Sequence, residues 1–179
     1  KNSEKFDYRE LLKGFANKSF EADRELWKLS NLIKSDESLK NLFIGKTNNE
    51  ILQELKGEKY TDFQDKFFAW LNQYGHKIHD FDLILPTLQE QPEIVVSLLK
   101  QFLVQNAKDP LENLKLAETR REEQKKKILQ SVRWWLPFGK KFVSKLISNT
   151  QSYVSIREDR PFYYQGQALA RKILLDLGK

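Results

Sequence analysis

Phe63, Phe67, Trp70, Leu71 and Tyr74 recur at i, i+4, i+7, i+8 and i+11. That spacing places five large apolar side chains on one face of an α-helix and is incompatible with the alternation of a half-buried strand. The same period returns along most of the chain. Ala22, Leu26, Leu29 and Ile33 form one stripe, and Val95, Leu98, Leu99 and Phe102 form another. Only 7 glycines and 5 prolines interrupt 179 residues, too few for a turn-dense all-β protein. The predicted fold is therefore all-α: a bundle of about eight helices, read as a single helical domain over residues 1–179. With 40% hydrophobic residues, the chain can bury enough surface to offset its ordering entropy.

Local signals predict the boundaries. Asp7 caps a short helix with Leu11, Leu12 and Phe15, and Ser19 caps the next. Leu39, Leu42 and Phe43 mark a helix that Gly45 ends. Thr47-Asn48-Asn49-Glu50 reads as a capping box opening a helix with Ile51, Leu52 and Leu55, stopped near Gly57. Gly75 is expected to end the 63–74 helix in a left-handed conformation. Residues 76–91 lack a helical period, contain Pro86 and read as one long ordered, extended loop, a kind of connection that is often functional. Pro92 and Pro110 each suit the first turn of a helix. The helix from Pro110 carries Arg120 through Lys127 and then Ile128, Leu129, Val132 and Trp135. After a break at Leu136-Pro137-Phe138-Gly139 come a helix with Phe142, Val143, Leu146 and Ile147, and a last one with Phe162, Leu169, Ile173 and Leu177.

Composition excludes several chemistries. There is no cysteine, hence no disulfide and no thiolate nucleophile. The polar start Lys1-Asn2-Ser3-Glu4-Lys5 is not that of a signal peptide, and no apolar run approaches the ~20 residues that span a bilayer. A cytoplasmic location without a membrane partner is expected. Because the chain starts with lysine and has no methionine, it is expected to be a piece of a longer protein. The net charge of +6 permits an anionic partner, although most charges suit solvated helix faces.

The junction after Tyr74 concentrates polar groups: His76, Lys77, His79, Asp80 and Asp82 lie together, and they include both histidines of the chain. Three readings stand side by side. The histidines and carboxylates could ligate a metal, but two histidines without a matching pair elsewhere are a thin ligand set, and no metal is expected. His76 could bond a backbone carbonyl and lock the junction. Or His76 and Lys77 could be donors on the wall of a binding cleft. Arg157 and Arg160, at i and i+3, offer planar forks for phosphate or carboxylate; an internal ion-pair network using Asp80 or Asp82 is the alternative. Arg121–Lys127 resembles a nucleic-acid handle diluted by Glu122 and Glu123. Trp134-Trp135-Leu136-Pro137-Phe138 suits a membrane interface, a packed bend or a flat apolar ligand. There is no glycine-rich phosphate loop, no Gly-x-Ser-x-Gly and no His-Glu-x-x-His, so the chain alone does not have the motifs of a complete enzyme.

Phe67-Phe68-Ala69-Trp70-Leu71-Asn72-Gln73-Tyr74-Gly75-His76-Lys77 resembles the F-x-x-F-L-x-x-Y-G-H-R segment of phosphoenolpyruvate synthase-like enzymes, notably the rifampicin phosphotransferases. Asp80-Phe81-Asp82-Leu83, Leu85-Pro86-Thr87 and Pro92 continue the likeness. Arg157-Glu158-Asp159-Arg160 and Leu174–Gly178 extend it, so that it covers about residue 20 to the end. Lys77 replaces the usual arginine, Leu88 stands where a tryptophan is common, and Pro161 interrupts the C-terminal motif. The resemblance implies a helical substrate-binding or linker region between an ATP-grasp-like nucleotide domain and a swivelling phosphohistidine domain. It implies ATP and Mg for the parent enzyme, none in this region, and a small-molecule phosphoryl acceptor. It gives no reason to expect a nucleic-acid partner. Neither histidine here is the phosphohistidine. His76, Lys77, Arg157 and Arg160, with Tyr74 and Tyr164, are the expected acceptor-side or interdomain contacts. The rival reading is a basic helical module that binds RNA or an acidic protein.

Overall fold

The computed structural model describes residues 7–76, 85–105, 108–132, 138–158 and 161–178, with side chains described except at 155–158 and 161–164. Among these residues there are eight α-helices and two 3-10 turns, and no strand. The helices are α1 (Lys18–Ser35), α2 (Glu37–Gly45), α3 (Asn48–Glu54), α4 (Thr61–Tyr74), α5 (Pro92–Val104), α6 (Pro110–Ser131), α7 (Gly139–Glu158) and α8 (Pro161–Leu177). The all-α class expected from the 3.6-residue period is the class observed.

The chain forms two compact units, residues 1–18 with 110–160, and residues 19–109 with 161–179. The second contains the main core. Leu26, Leu29 and Ile33 of α1 are buried, as their spacing predicts, against Phe63, Phe67, Trp70 and Leu71 of α4 and Val95, Val96 and Leu99 of α5. At its centre Phe43 meets Phe63 edge-on at 5.7 Å, Phe63 stacks on Phe67 at 6.3 Å, and Phe67 meets Phe68 edge-on at 5.5 Å. Such offset and edge arrangements match the quadrupoles of aromatic rings. Polar groups drawn into this core are satisfied: the Ser30 hydroxyl donates to the Trp27 carbonyl at 2.7 Å, and the Trp70 indole N–H donates to the Ala22 carbonyl at 2.9 Å.

Caps fix the ends. Asp36 accepts from the amides of Ser38 and Leu39 and starts α2. Thr47 and Glu50 form the expected reciprocal box, and Pro92 occupies the first turn of α5. Ser19 is not a cap. The helix begins one residue earlier, at Lys18, which places Ser19 inside the first turn. Gly45 is the last residue of α2, as expected, with Lys46 as the cap.

In the other unit the 3-10 turn Tyr8–Leu12 is capped by Asp7, which accepts from the Arg9 amide at 3.1 Å. The turn packs against α6 and α7. Arg121 of α6 closes over it: the guanidinium lies 4.2 Å from the Phe15 ring centroid and donates to the carbonyls of Lys13 and Gly14. Arg121 is therefore a structural clamp, unlike the exposed Lys126 and Lys127 beyond it. Gln151 of α7 donates to the Leu11 carbonyl at 3.1 Å. Ile147 and Val154 are buried, but Phe142 and Leu146 are exposed. Helix α6 has no buried residue, although its sequence carries Ile128 and Leu129. In α8, Leu169, Ile173 and Leu177 are exposed too.

Candidate functional site

Helices α1 and α4 run antiparallel. Ala22, early in α1, accepts from Trp70, late in α4; Leu32, late in α1, shares a small hollow with Thr61 and Phe63 at the start of α4. Between the two helices lies a groove of about 450 Å³, within the usual size of small-molecule sites. Its α1 wall is Glu25, Lys28, Leu29 and Leu32; its α4 wall is Lys66, Ala69, Trp70, Gln73 and Tyr74. The floor is apolar and aromatic. Trp70 is held by its bond to Ala22, and the Tyr74 ring leans on it at 5.7 Å. At the rim, Lys28 pairs with Glu25 at 2.6 Å and Lys66 with Asp62 at 2.7 Å, one turn back on the same helix in each case.

The groove ends where α4 ends. Gly75 was expected to stop the helix by adopting a left-handed conformation. Its φ is −74° and its ψ −6°, which any residue adopts. What requires glycine is space. A Cβ at Gly75 would press on the Leu71 carbonyl and lie 2.8 Å from Cγ of Gln89. Gln89 comes this close because it locks the junction twice, its amide N–H donating to the Gly75 carbonyl at 2.9 Å and its side-chain amide to the Leu71 carbonyl at 3.1 Å. Gly75→Ala should therefore lower stability by about 1–3 kcal/mol, the usual cost of overpacking, and thermal unfolding would measure it.

The segment that brings Gln89 in is a turn. Thr87 is buried, its amide donates to the Glu90 carboxylate at 2.7 Å, and the amides of Glu90 and Gln91 return to the Thr87 carbonyl. Residues 85–91 of the expected extended loop thus fold into a compact lead-in to α5. Leu88, at the position where the family pattern has a tryptophan, packs on the core. Arg171 of α8 reaches the same turn and donates through Nε to Glu90, 3.0 Å from Oε2. Burial pushes the Glu90 carboxyl up, but the Thr87 amide and the Arg171 guanidinium outweigh it and hold the pKa below the ordinary glutamate value. A carboxylate with a depressed folded-state pKa adds stability above its unfolded value and loses it as pH falls through the folded one. Melting temperature should therefore fall below the ordinary glutamate range in part through Glu90. Glu90→Gln should flatten that fall; an unchanged acid limb would show that the pair contributes nothing.

Of the residues singled out from sequence, Tyr74 forms the end of the groove, and His76 follows Gly75 half-buried. Arg157 falls on α7 and Tyr164 on α8, but their side chains lie outside the described residues, as do Lys77, His79, Asp80, Asp82 and Arg160 altogether. The proposed network between the aspartates and Arg157 or Arg160 therefore falls outside them as well. Sequence reasoning did not single out Lys28, Lys66, Gln89 or the Glu90–Arg171 pair. Trp70 was legible only as part of the core stripe. Among the described residues no group of three histidines, cysteines or carboxylates could hold a metal ion, and no helix is long and apolar enough to cross a membrane.

The family described as rifampicin phosphotransferase fourth domain matches residues 1–158. The match starts before residue 20, where the resemblance in motifs begins, and stops before α8, so Leu174–Gly178 lies beyond it. Neither a curated protein nor a solved structure matches the chain. With nearly nine-tenths of its length inside that match, the chain belongs to the rifampicin phosphotransferase fourth-domain family, among the phosphoenolpyruvate-utilising enzymes.

Proposed function

We propose that this helical domain holds the acceptor for phosphoryl transfer in an ATP-dependent, phosphoenolpyruvate synthase-like phosphotransferase. In this reading ATP and Mg serve a nucleotide domain, and a mobile phosphohistidine domain delivers the phosphoryl group. The observation that carries it is the α1–α4 groove, with its aromatic end at Tyr74, where the segment most like the family pattern leaves the helix. The acceptor is an apolar, ring-bearing molecule with a hydroxyl; the family's name gives rifampicin as the acceptor of its members. Trp70 and Tyr74 would stack on its ring. His76, just past the groove end, and Lys77, the next residue in sequence, would donate to the oxygens of the arriving phosphoryl group, and Arg157, Arg160 and Tyr164 would serve the interdomain contact. The domain contributes position and charge stabilisation to a reaction whose covalent chemistry occurs on other domains.

Ala69 stands exposed in the α4 wall, so Ala69→Phe fills the groove without entering the core. In the complete phosphotransferase, acceptor phosphorylation should fall about 100-fold, since misplacing a reactant by an ångström costs that much. ATP-dependent phosphorylation of the histidine domain should persist. Equal loss of both, or of neither, would contradict the reading.

A second reading has one observation behind it. No aspartate or glutamate occurs between Glu123 and Glu158, a stretch that includes Lys125–Lys127, Lys140, Lys141 and Lys145. Such a stretch suits a basic module for RNA or an acidic protein. RNA binding that weakens steeply with salt would support it.

A further inference from the structure

We infer that the α1–α4 groove selects aromatic anions: a flat apolar body against Trp70 and Tyr74, with its negative group between Lys28 and Lys66. The inference rests on the groove being a ligand site and adds the charge of the ligand. Lys28 and Lys66 line opposite walls of the groove. Each ammonium already has a carboxylate partner, but the pairs are about half exposed, at side-chain exposures of 48% and 45% for Lys28 and Glu25 and 48% and 85% for Lys66 and Asp62. Exposed pairs along a helix hold each other weakly, so both lysines can turn to an anion that bridges them. Glu25 is the one acidic residue in the lining. Its carboxylate rests on the Lys28 ammonium at 2.6 Å, so an incoming anion would take its place there. Lys66 stands one turn before Trp70 and two before Tyr74 on α4, so a ligand with its acid at the lysines lays its ring towards the Tyr74 end. The apolar floor supplies contact area and the lysine pair supplies direction.

Two dyes with one skeleton separate these terms. 8-Anilinonaphthalene-1-sulfonate carries the anion, and N-phenyl-1-naphthylamine lacks it. Fluorescence titration of the full chain should show the sulfonate binding about tenfold tighter, the increment of one good charge-assisted contact, with the difference shrinking at high salt. Lys28→Ala combined with Lys66→Ala should remove the difference and leave the neutral dye's affinity in place. Ala69→Phe should abolish binding of both. These positions are exposed, and an unchanged melting temperature would confirm that the fold is kept. Equal affinities in the wild type, or a preference for the sulfonate that survives loss of both lysines, would overturn the inference. So would dye binding that persists in Ala69→Phe, because the dyes would then sit on other exposed apolar surface. Loss of dye binding in Ala69→Phe with acceptor phosphorylation intact would uphold the aromatic-anion site and remove its role as acceptor site.

Discussion

Replacing Phe67 by alanine should destabilise the unit formed by residues 19–109 and 161–179 by about 4 kcal/mol. Phe67 is 0% exposed and lies in the middle of the aromatic run, stacked on Phe63 at 6.3 Å and edge-on to Phe68 at 5.5 Å. Truncation removes the transfer free energy of the ring and leaves a cavity among residues that cannot collapse into it, since Ile33, Ile51, Leu55, Val95 and Leu99 around the core are themselves fully buried. Both ring contacts are lost as well. Because α4 supplies one wall of the groove, ligand binding should weaken along with stability. Urea unfolding followed by circular dichroism measures the effect. A loss under about 2 kcal/mol, below the usual range for a buried phenylalanine, would mean that the core is looser than its packing indicates.

Gly14→Ala should act on the other unit, by about 2–4 kcal/mol. Two independent costs combine. Gly14 has φ +74°, a left-handed conformation that disfavours any Cβ. A Cβ there would also lie 2.6 Å from the amide nitrogen of Glu118 and 2.8 Å from the carbonyl carbon of Ala117. Those atoms are helix backbone in α6 and cannot swing aside as a side chain can, so the segment must move outward. Moving it pulls the Lys13 and Gly14 carbonyls away from Arg121 and the Phe15 ring from its guanidinium. Among the described residues of this unit, the buried apolar side chains with which to absorb the loss are Leu11, Ile147 and Val154. Hydrogen exchange should show α6 and the Tyr8–Leu12 turn losing protection together. Unchanged protection would show that the clamp is not what holds them.

Where local chemistry decides structure, the sequence was readable. The 63/67/70/71 stripe, the Thr47–Glu50 box and Pro92 in its first turn all depend on residues within a few positions of each other. Periodicity also gave the all-α class. It failed where two causes look alike in text. Gly75 and Gly14 are both isolated glycines near helices, yet one is required for space and the other for a positive φ as well. It failed again where distance in sequence hides contact. Glu90 and Arg171 are 81 residues apart, and nothing local marks them as partners. Trp70 shows the limit most clearly. Its spacing assigns it to the buried face, where it is only 7% exposed, but a stripe says nothing about the gap that two helices leave beside it. Leu169, Ile173 and Leu177 of α8 repeat a helical period and are nevertheless exposed, because amphipathic spacing specifies a face without supplying what covers it.

The most direct measurement is a crystal structure of the complete phosphotransferase with its acceptor bound. The acceptor's ring should lie against Trp70 and Tyr74 between α1 and α4, with the hydroxyl that receives the phosphoryl group directed towards His76. An acceptor seated elsewhere, with the groove filled by a neighbouring part of the enzyme, would contradict the account.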